Sequence, residues 1–293
     1  MLGLLVAGTL LGARALPVPG LLRPEDLPGP AVFDRWTENA TVNLPGAPRQ
    51  SVAHGAIAQP GNTGDLTTFS VLPQVVPAAT VSAVLELMRS VPLAALDADP
   101  DTVDGMPTYE MFMETHDLGH KKGGKPLDAD PRSFAQRQPL RDRVKALLQP
   151  ILDERITPFV RAQHPEVCGD GVAPGRQCTP CYSLMRRYRH GERTSHATHH
   201  DSHAIVTVVV SLSDYGSEYR GGLYVATSRS RREHLALSRG DAVVHRSTLL
   251  HGVHVVDADP LEPERTERWS WILWFRDSVT CEDHGHEWFK VTI

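Results

Sequence analysis

The stretch ATHHDSHAIVTVVV, residues 197–210, sets His199, His200, Asp201 and His203 directly ahead of an apolar, β-branched run. A run of that length and composition predicts a buried strand. Counting back to His190, five histidines fall within fourteen residues. Alternation along an extended chain sends residues i and i+2 to one face, so His199 and Asp201 converge while His200 points away. The apolar segment behind them is the rigid element expected to aim the pair.

A metal site needs a third ligand. His251 lies 52 positions after His199, follows VVHRSTLL and opens another short strand. His254 is its rival, but residues three apart on a strand face opposite ways, so only one of the two can join the site. Two histidines and one carboxylate leave the far side of an ion open, the facial arrangement of non-haem Fe(II) oxygenases; a thiolate-rich set would favour zinc. His-x-Asp alone is a weak signal. Joined to His251 at that interval and to an arginine-led strand beyond it, the signal is strong.

That last strand is RWSWILWF, residues 268–275, with Arg268 at its head. As a strand-end residue Arg268 would sit in solvent. As a functional one, its guanidinium fork binds a carboxylate bidentately, with Ser270 facing the same way as a second donor. Arg265 competes for this role if the preceding loop runs longer than assumed. His245, six residues before His251, reads either as a second contact beside the metal or as a satisfied structural histidine. His190, His196, His200 and His203 read as entrance or solvent-facing residues, and His284 and His286 as part of a surface tail.

From residue 182 onward, short β-branched or aromatic segments alternate with turn residues: YSLMRRY, AIVTVVVSLS, GGLYVAT, EHLAL, DAVVHR, HGVHVV and RWSWILWF. Gly221-Gly222 and Arg239-Gly240-Asp241 read as turns between them, which accounts for the Arg-Gly-Asp triplet without an adhesion role. Upstream, apolar residues at 81, 84, 85 and 88 predict a helix with Thr80 as its cap. A second stripe runs from Val144 to Val160, and Pro150 and Pro158 must kink or divide it. The pattern predicts a mainly β protein with flanking helices, built on a double-sheet core.

The segments RYRHGERTSHATHHDSHAIVTVVVSLSDYGSEYRGGLYV, GDAVVHRSTLLHGVHVV and RWSWILWF resemble the 2-oxoglutarate- and Fe(II)-dependent dioxygenases of the prolyl/lysyl hydroxylase type. The likeness is firm over residues 182–276 and, with Tyr188 eleven residues ahead of His199 and the EYRGG turn, is most like the lysyl hydroxylase branch. It implies a double-stranded β-helix (jelly roll) with iron held by His199, Asp201 and His251. It further implies that Arg268, helped by the Tyr188 hydroxyl, binds the distal carboxylate of 2-oxoglutarate. Fe(II), 2-oxoglutarate and O2 are the implied cofactor and cosubstrates, with ascorbate an accessory. The implied reaction hydroxylates a side chain of a protein or peptide substrate, releasing succinate and CO2. The interval from His251 to Arg268 is longer than in the family, and DADPLEPERTE reads as an extended turn within it.

Bulk properties fit an ordinary globular protein of 293 residues: 41% hydrophobic, 22% charged, net charge −5. Nothing in that balance asks for nucleic acid or an anionic membrane surface. Leu2 to Leu11 is an apolar run too short to span a bilayer, and Ala13-Arg14-Ala15 offers a small-x-small cleavage site, so residues 1–15 read as a secretory signal. Residues 16–64 read as an irregular Pro/Gly-rich leader, 65–180 as helical support and the start of the core, 181–277 as the jelly roll and 278–293 as a tail. Cys168, Cys178, Cys181 and Cys281 suit one or two disulfides in that compartment; Cys178-Thr-Pro-Cys181 alternatively reads as a redox dithiol or a zinc half-site. Asn39-Ala40-Thr41 is a glycosylation sequon. Two other functions fit the same residues: a cupin-like metalloenzyme without 2-oxoglutarate, which would have no use for Arg268, and a non-enzymatic jelly-roll metal-binding module, which would need a fourth protein ligand.

Overall fold

The computed structural model describes residues 37–42, 50–57, 67–90, 103–115, 137–168, 178–226 and 232–277. Eight strands carry the core: β5 (Cys178–Arg189), β6 (Ser195–His199), β7 (Val206–Ser211), β8 (Arg220–Ala226), β9 (Arg232–His234), β10 (Ala242–Arg246), β11 (His251–Val256) and β12 (Glu267–Asp277). They fall into two antiparallel sheets, one ordered β10-β7-β12-β5 and the other β6-β11-β8-β9. Successive strands cross between the sheets except at the β8–β9 hairpin. That order is the double Greek key of a jelly roll, so the fold class follows from the topology itself.

The larger sheet is extended at both ends. The strand β4 (Tyr109–Thr115) adds beside β5, and β3 (Thr67–Leu72), β2 (Gln50–Ile57) and β1 (Thr37–Val42) add in turn beside β10. One face of this sheet packs on α1 (Ala78–Arg89), α2 (Gln138–Ile151), a π-helical turn (Leu152–Ile156) and α3 (Thr157–Gln163), and a short α4 (Pro165–Cys168) follows. Strand alternation separates the two jobs of β12. Trp269, Trp271, Leu273 and Phe275 enter the helix-facing core, while Arg268, Ser270, Ile272 and Trp274 face the space between the sheets. Each fully buried side chain of that size stabilises the fold by about 2 kcal/mol. None of the helices among the described residues is long and apolar enough to cross a membrane.

Several expectations are corrected. The leader contains two strands, β1 and β2, with the sequences TENATV and QSVAHGAI, which add to the sheet beyond β3. The helix at 78–89 starts after Pro77, which gives no side-chain cap, so Thr80 lies inside it. Gly221 and Gly222 sit within β8 at φ of 69° and 83°, not in a turn. They are glycines because a Cβ on Gly221 would overlap the His254 carbonyl and one on Gly222 would lie 2.6 Å from the Tyr219 ring. Gly240, at φ 89°, does lie in a turn. Pro150 stands inside α2, with the π-helical turn directly after it, so the long stripe is divided there. Cys178 is disulfide-bonded to Cys168, so the Cys178–Cys181 motif is neither a dithiol nor a zinc half-site. Residues 1–15, the tail 278–293 and Cys281 lie outside the described residues.

Candidate active site

His199 is the last residue of β6 and His251 the first of β11, and the two are register partners across that antiparallel pair. Their rings lie 4.5 Å apart at the centroids. Asp201 belongs to the turn that leaves β6, closed by a hydrogen bond from the Ala204 amide to the Asp201 carbonyl at 3.0 Å. The expectation that AIVTVVV aims the pair is therefore corrected. That run becomes β7 in the opposite sheet, and the ligands precede the crossover because a strand end and a tight turn can bend two side chains to one point. His254 lies beyond a register shift in β11, across from Gly222, and faces away from the site.

The three ligand atoms lie within 4.8 Å of one another. Asp201 Oδ1 is 3.3 Å from His199 Nε2, and Asp201 Oδ2 is 3.6 Å from His251 Nε2. Each ring is held from behind: His199 Nδ1 donates to the Ala197 carbonyl at 2.8 Å and His251 Nδ1 to the Leu249 carbonyl at 2.9 Å. A carbonyl only accepts, so Nδ1 carries the proton and Nε2 presents a lone pair. Two lone pairs and a carboxylate then face one another without a proton between them. Such a set repels itself until a cation enters, and its N2O chemistry suits a divalent transition metal with open positions.

Electrostatics agree with that reading. Burial pushes the His251 imidazole down to about 3, keeping it neutral at physiological pH. Thr207 Oγ1 donates to Asp201 Oδ2 at 2.7 Å and fixes the carboxylate. Sequence reasoning passed over Thr207, although a lone hydroxyl inside AIVTVVV was its signal.

The other histidines sort by position. His245 is fully buried on β10, its ring 4.6 Å from that of His251, with Nδ1 bonded to the Arg246 carbonyl at 2.9 Å. His196 is buried and lines the cavity instead of facing solvent: Arg193 Nη2 donates to its Nδ1 at 2.6 Å, and its ring packs edge-on against His199. His200 and His203 line the cavity, and His190 sits at the surface with Asp257. His284 and His286 lie outside the described residues.

A cavity of about 520 Å³ opens from the three ligands toward β12. At its inner end stands Arg268, 1% exposed, its guanidinium carbon 5.7 Å from the Tyr188 ring and 5.6 Å from the Tyr219 ring. Its Nε and Nη2 have no hydrogen-bond partner, and neither has the Ser270 Oγ, also fully buried. Orphaned donors around a buried cation cost free energy unless an anion meets them. Arg265 is excluded from this role: its side chain is 75% exposed on the turn before β12 and pairs with Glu262. The extended turn is therefore real, and it still delivers Arg268 to the cavity. Arg186 and Arg187 pair with Glu110 and Glu192.

No protein-family model and no curated protein matches the sequence. Among solved structures, the chain is similar to an oxidoreductase of the 2OG-Fe(II) oxygenase family from Burkholderia pseudomallei, at 16% identity and a TM-score of 0.45 over 73% of this chain and 87% of that one. It is similar to a prolyl-4-hydroxylase from Pseudomonas putida at 16% identity and a TM-score of 0.38, over 71% and 91% of the two chains. The same holds for a non-haem α-ketoglutarate-dependent carbocyclase from nogalamycin biosynthesis, at 13% identity and a TM-score of 0.43, over 71% and 79%. The structural neighbours thus include 2OG-Fe(II) oxygenases whose named activities range from prolyl hydroxylation to small-molecule carbocyclisation.

Proposed function

We propose that the chain is an Fe(II)- and 2-oxoglutarate-dependent dioxygenase that hydroxylates an unactivated C–H bond, on a prolyl or lysyl side chain of a protein in the secretory pathway. The observation that carries this reading is the convergence of His199, Asp201 and His251 in the same cavity as the buried Arg268, whose Nε and Nη2 have no hydrogen-bond partner. When bound, iron and 2-oxoglutarate supply an oxidation in which R–H, O2 and 2-oxoglutarate become R–OH, succinate and CO2. His199 and His251 would hold the metal through Nε2 and Asp201 through a carboxylate oxygen, with Thr207 fixing that carboxylate. Arg268 and Ser270 would take the distal carboxylate of 2-oxoglutarate, with Tyr188 beneath the guanidinium. His245 would buttress His251 by ring contact. A secretory location is supported by the apolar segment at 2–11 and by the Cys168–Cys178 disulfide.

The test is succinate release from purified protein in air with Fe(II) and 2-oxoglutarate, with and without ascorbate. Succinate that disappears in His251→Ala supports the reading. Absence of both succinate and 2-oxoglutarate binding would sink it and favour a metal-binding module.

A further inference from the structure

Glu110 of β4 stands in the cavity wall as the register partner of Arg186 on β5, and both side chains are 9% exposed. Arg186 donates through Nε at 2.9 Å and Nη2 at 2.6 Å, but both bonds go to one carboxylate oxygen, Oε2. The two-oxygen fork usual for arginine and carboxylate is not made. The other oxygen, Oε1, has no partner among the described residues. Glu110 lines the cavity, so this oxygen can take a donor from whatever fills it. Aromatic side chains line the same cavity, namely Phe112, Tyr182 and Trp274.

From these observations we propose that Glu110 determines specificity, its Oε1 accepting a hydrogen bond from a protonated amine on the substrate side chain. The proposal rests on the reading of this cavity as the substrate site. A charge-assisted bond is about twice as strong as a neutral one, and aromatic faces favour a cation over a neutral polar group. A prolyl ring or a hydrocarbon has no proton to offer Oε1. Arg186 need not move, because it holds the opposite oxygen.

Three blocked peptides, identical except for Lys, norleucine or Pro at the centre, are titrated calorimetrically under nitrogen, where no oxidation proceeds. Wild type, Glu110→Gln and the double variant Glu110→Gln/Arg186→Met are compared. The double variant removes both charges together and so leaves no unpaired buried ion if the single variant fails to fold. Wild type should bind the Lys peptide about tenfold more tightly than the norleucine peptide, and the ratio should fall to near one in both variants. Butylammonium separates the two sources of such a group: amine binding without peptide binding keeps the acceptor role and assigns it to a free amine. Equal affinity for Lys and norleucine, a Lys preference that survives without Glu110, or no binding of any probe overturns the proposal. Succinate release from the same preparations reports on the reaction separately. A Glu110-dependent Lys preference without succinate would sink the reaction and leave this inference standing; succinate without the preference would do the reverse.

Discussion

Arg268 and Tyr188 are register partners across β12 and β5, with the guanidinium carbon 5.7 Å from the ring centroid and both residues 1% exposed. The cation is buried, stacked on an aromatic ring and left with two orphaned nitrogens. Arg268→Ala should therefore raise the 2-oxoglutarate requirement on the order of a hundredfold, since two charge-assisted bonds are lost. Metal affinity should change little. Arg265→Ala, on the exposed turn, should leave both unchanged; a rise in its 2-oxoglutarate dissociation constant would move the clamp there.

Removing His199, Asp201 or His251 individually to Ala should abolish stoichiometric Fe(II) or Mn(II) binding while circular dichroism keeps its β signature. Thr207→Val tests the supporting bond to Asp201. It should weaken metal binding by roughly 10- to 100-fold, read by competition with a chelator, and unchanged affinity would reduce Thr207 to a packing residue.

Gly222 lies at φ +83°, and a Cβ there would approach the Tyr219 ring at 2.6 Å and Arg268 Nε at 3.4 Å. Gly222→Ala should cost about 1–3 kcal/mol of stability through overpacking. It should also raise the 2-oxoglutarate requirement, because the strain falls on the guanidinium. A lowered melting temperature with normal 2-oxoglutarate binding would confine Gly222 to packing.

His234 is buried on β9 with neither ring nitrogen partnered. Burial, then repulsion from His254, lowers its pKa from 6.5 to about 4. As pH falls through 6.5 the unfolded chain takes up the proton and the folded one does not. Stability therefore declines between pH 6.5 and about 4, by roughly 3 kcal/mol when the loss is complete. His234→Phe should flatten that part of the profile, measured by urea unfolding at pH 7, 5.5 and 4.5. Parallel curves for variant and wild type would show that the ring is protonated in the folded state.

The sequence by itself determined the pieces whose signal is local. A β-branched run such as 205–210 can be only a buried strand, and alternation along RWSWILWF separates Arg268 and Ser270 from the tryptophans whatever the rest of the chain does. The same alternation set His251 apart from His254, whereas Asp201 meets His199 through the turn that leaves β6. What only the tertiary structure decided is which strand each piece pairs with. Seven of the eight jelly-roll strands were legible, but β6, with the sequence SHATH, was not, since its burial comes from β11 and not from its own composition. The crossover from β6 to β7 moved the ligands off the apolar strand that follows them. Glu110 carries no motif, and Thr207 only the signal of a lone hydroxyl in an apolar run. Their places at the site arise because antiparallel registry sets Glu110 across from Arg186, 76 residues away, and the turn after Asp201 returns Thr207 to its carboxylate. Side-chain period is a property of a few neighbouring residues, whereas registry depends on the packing of the whole molecule.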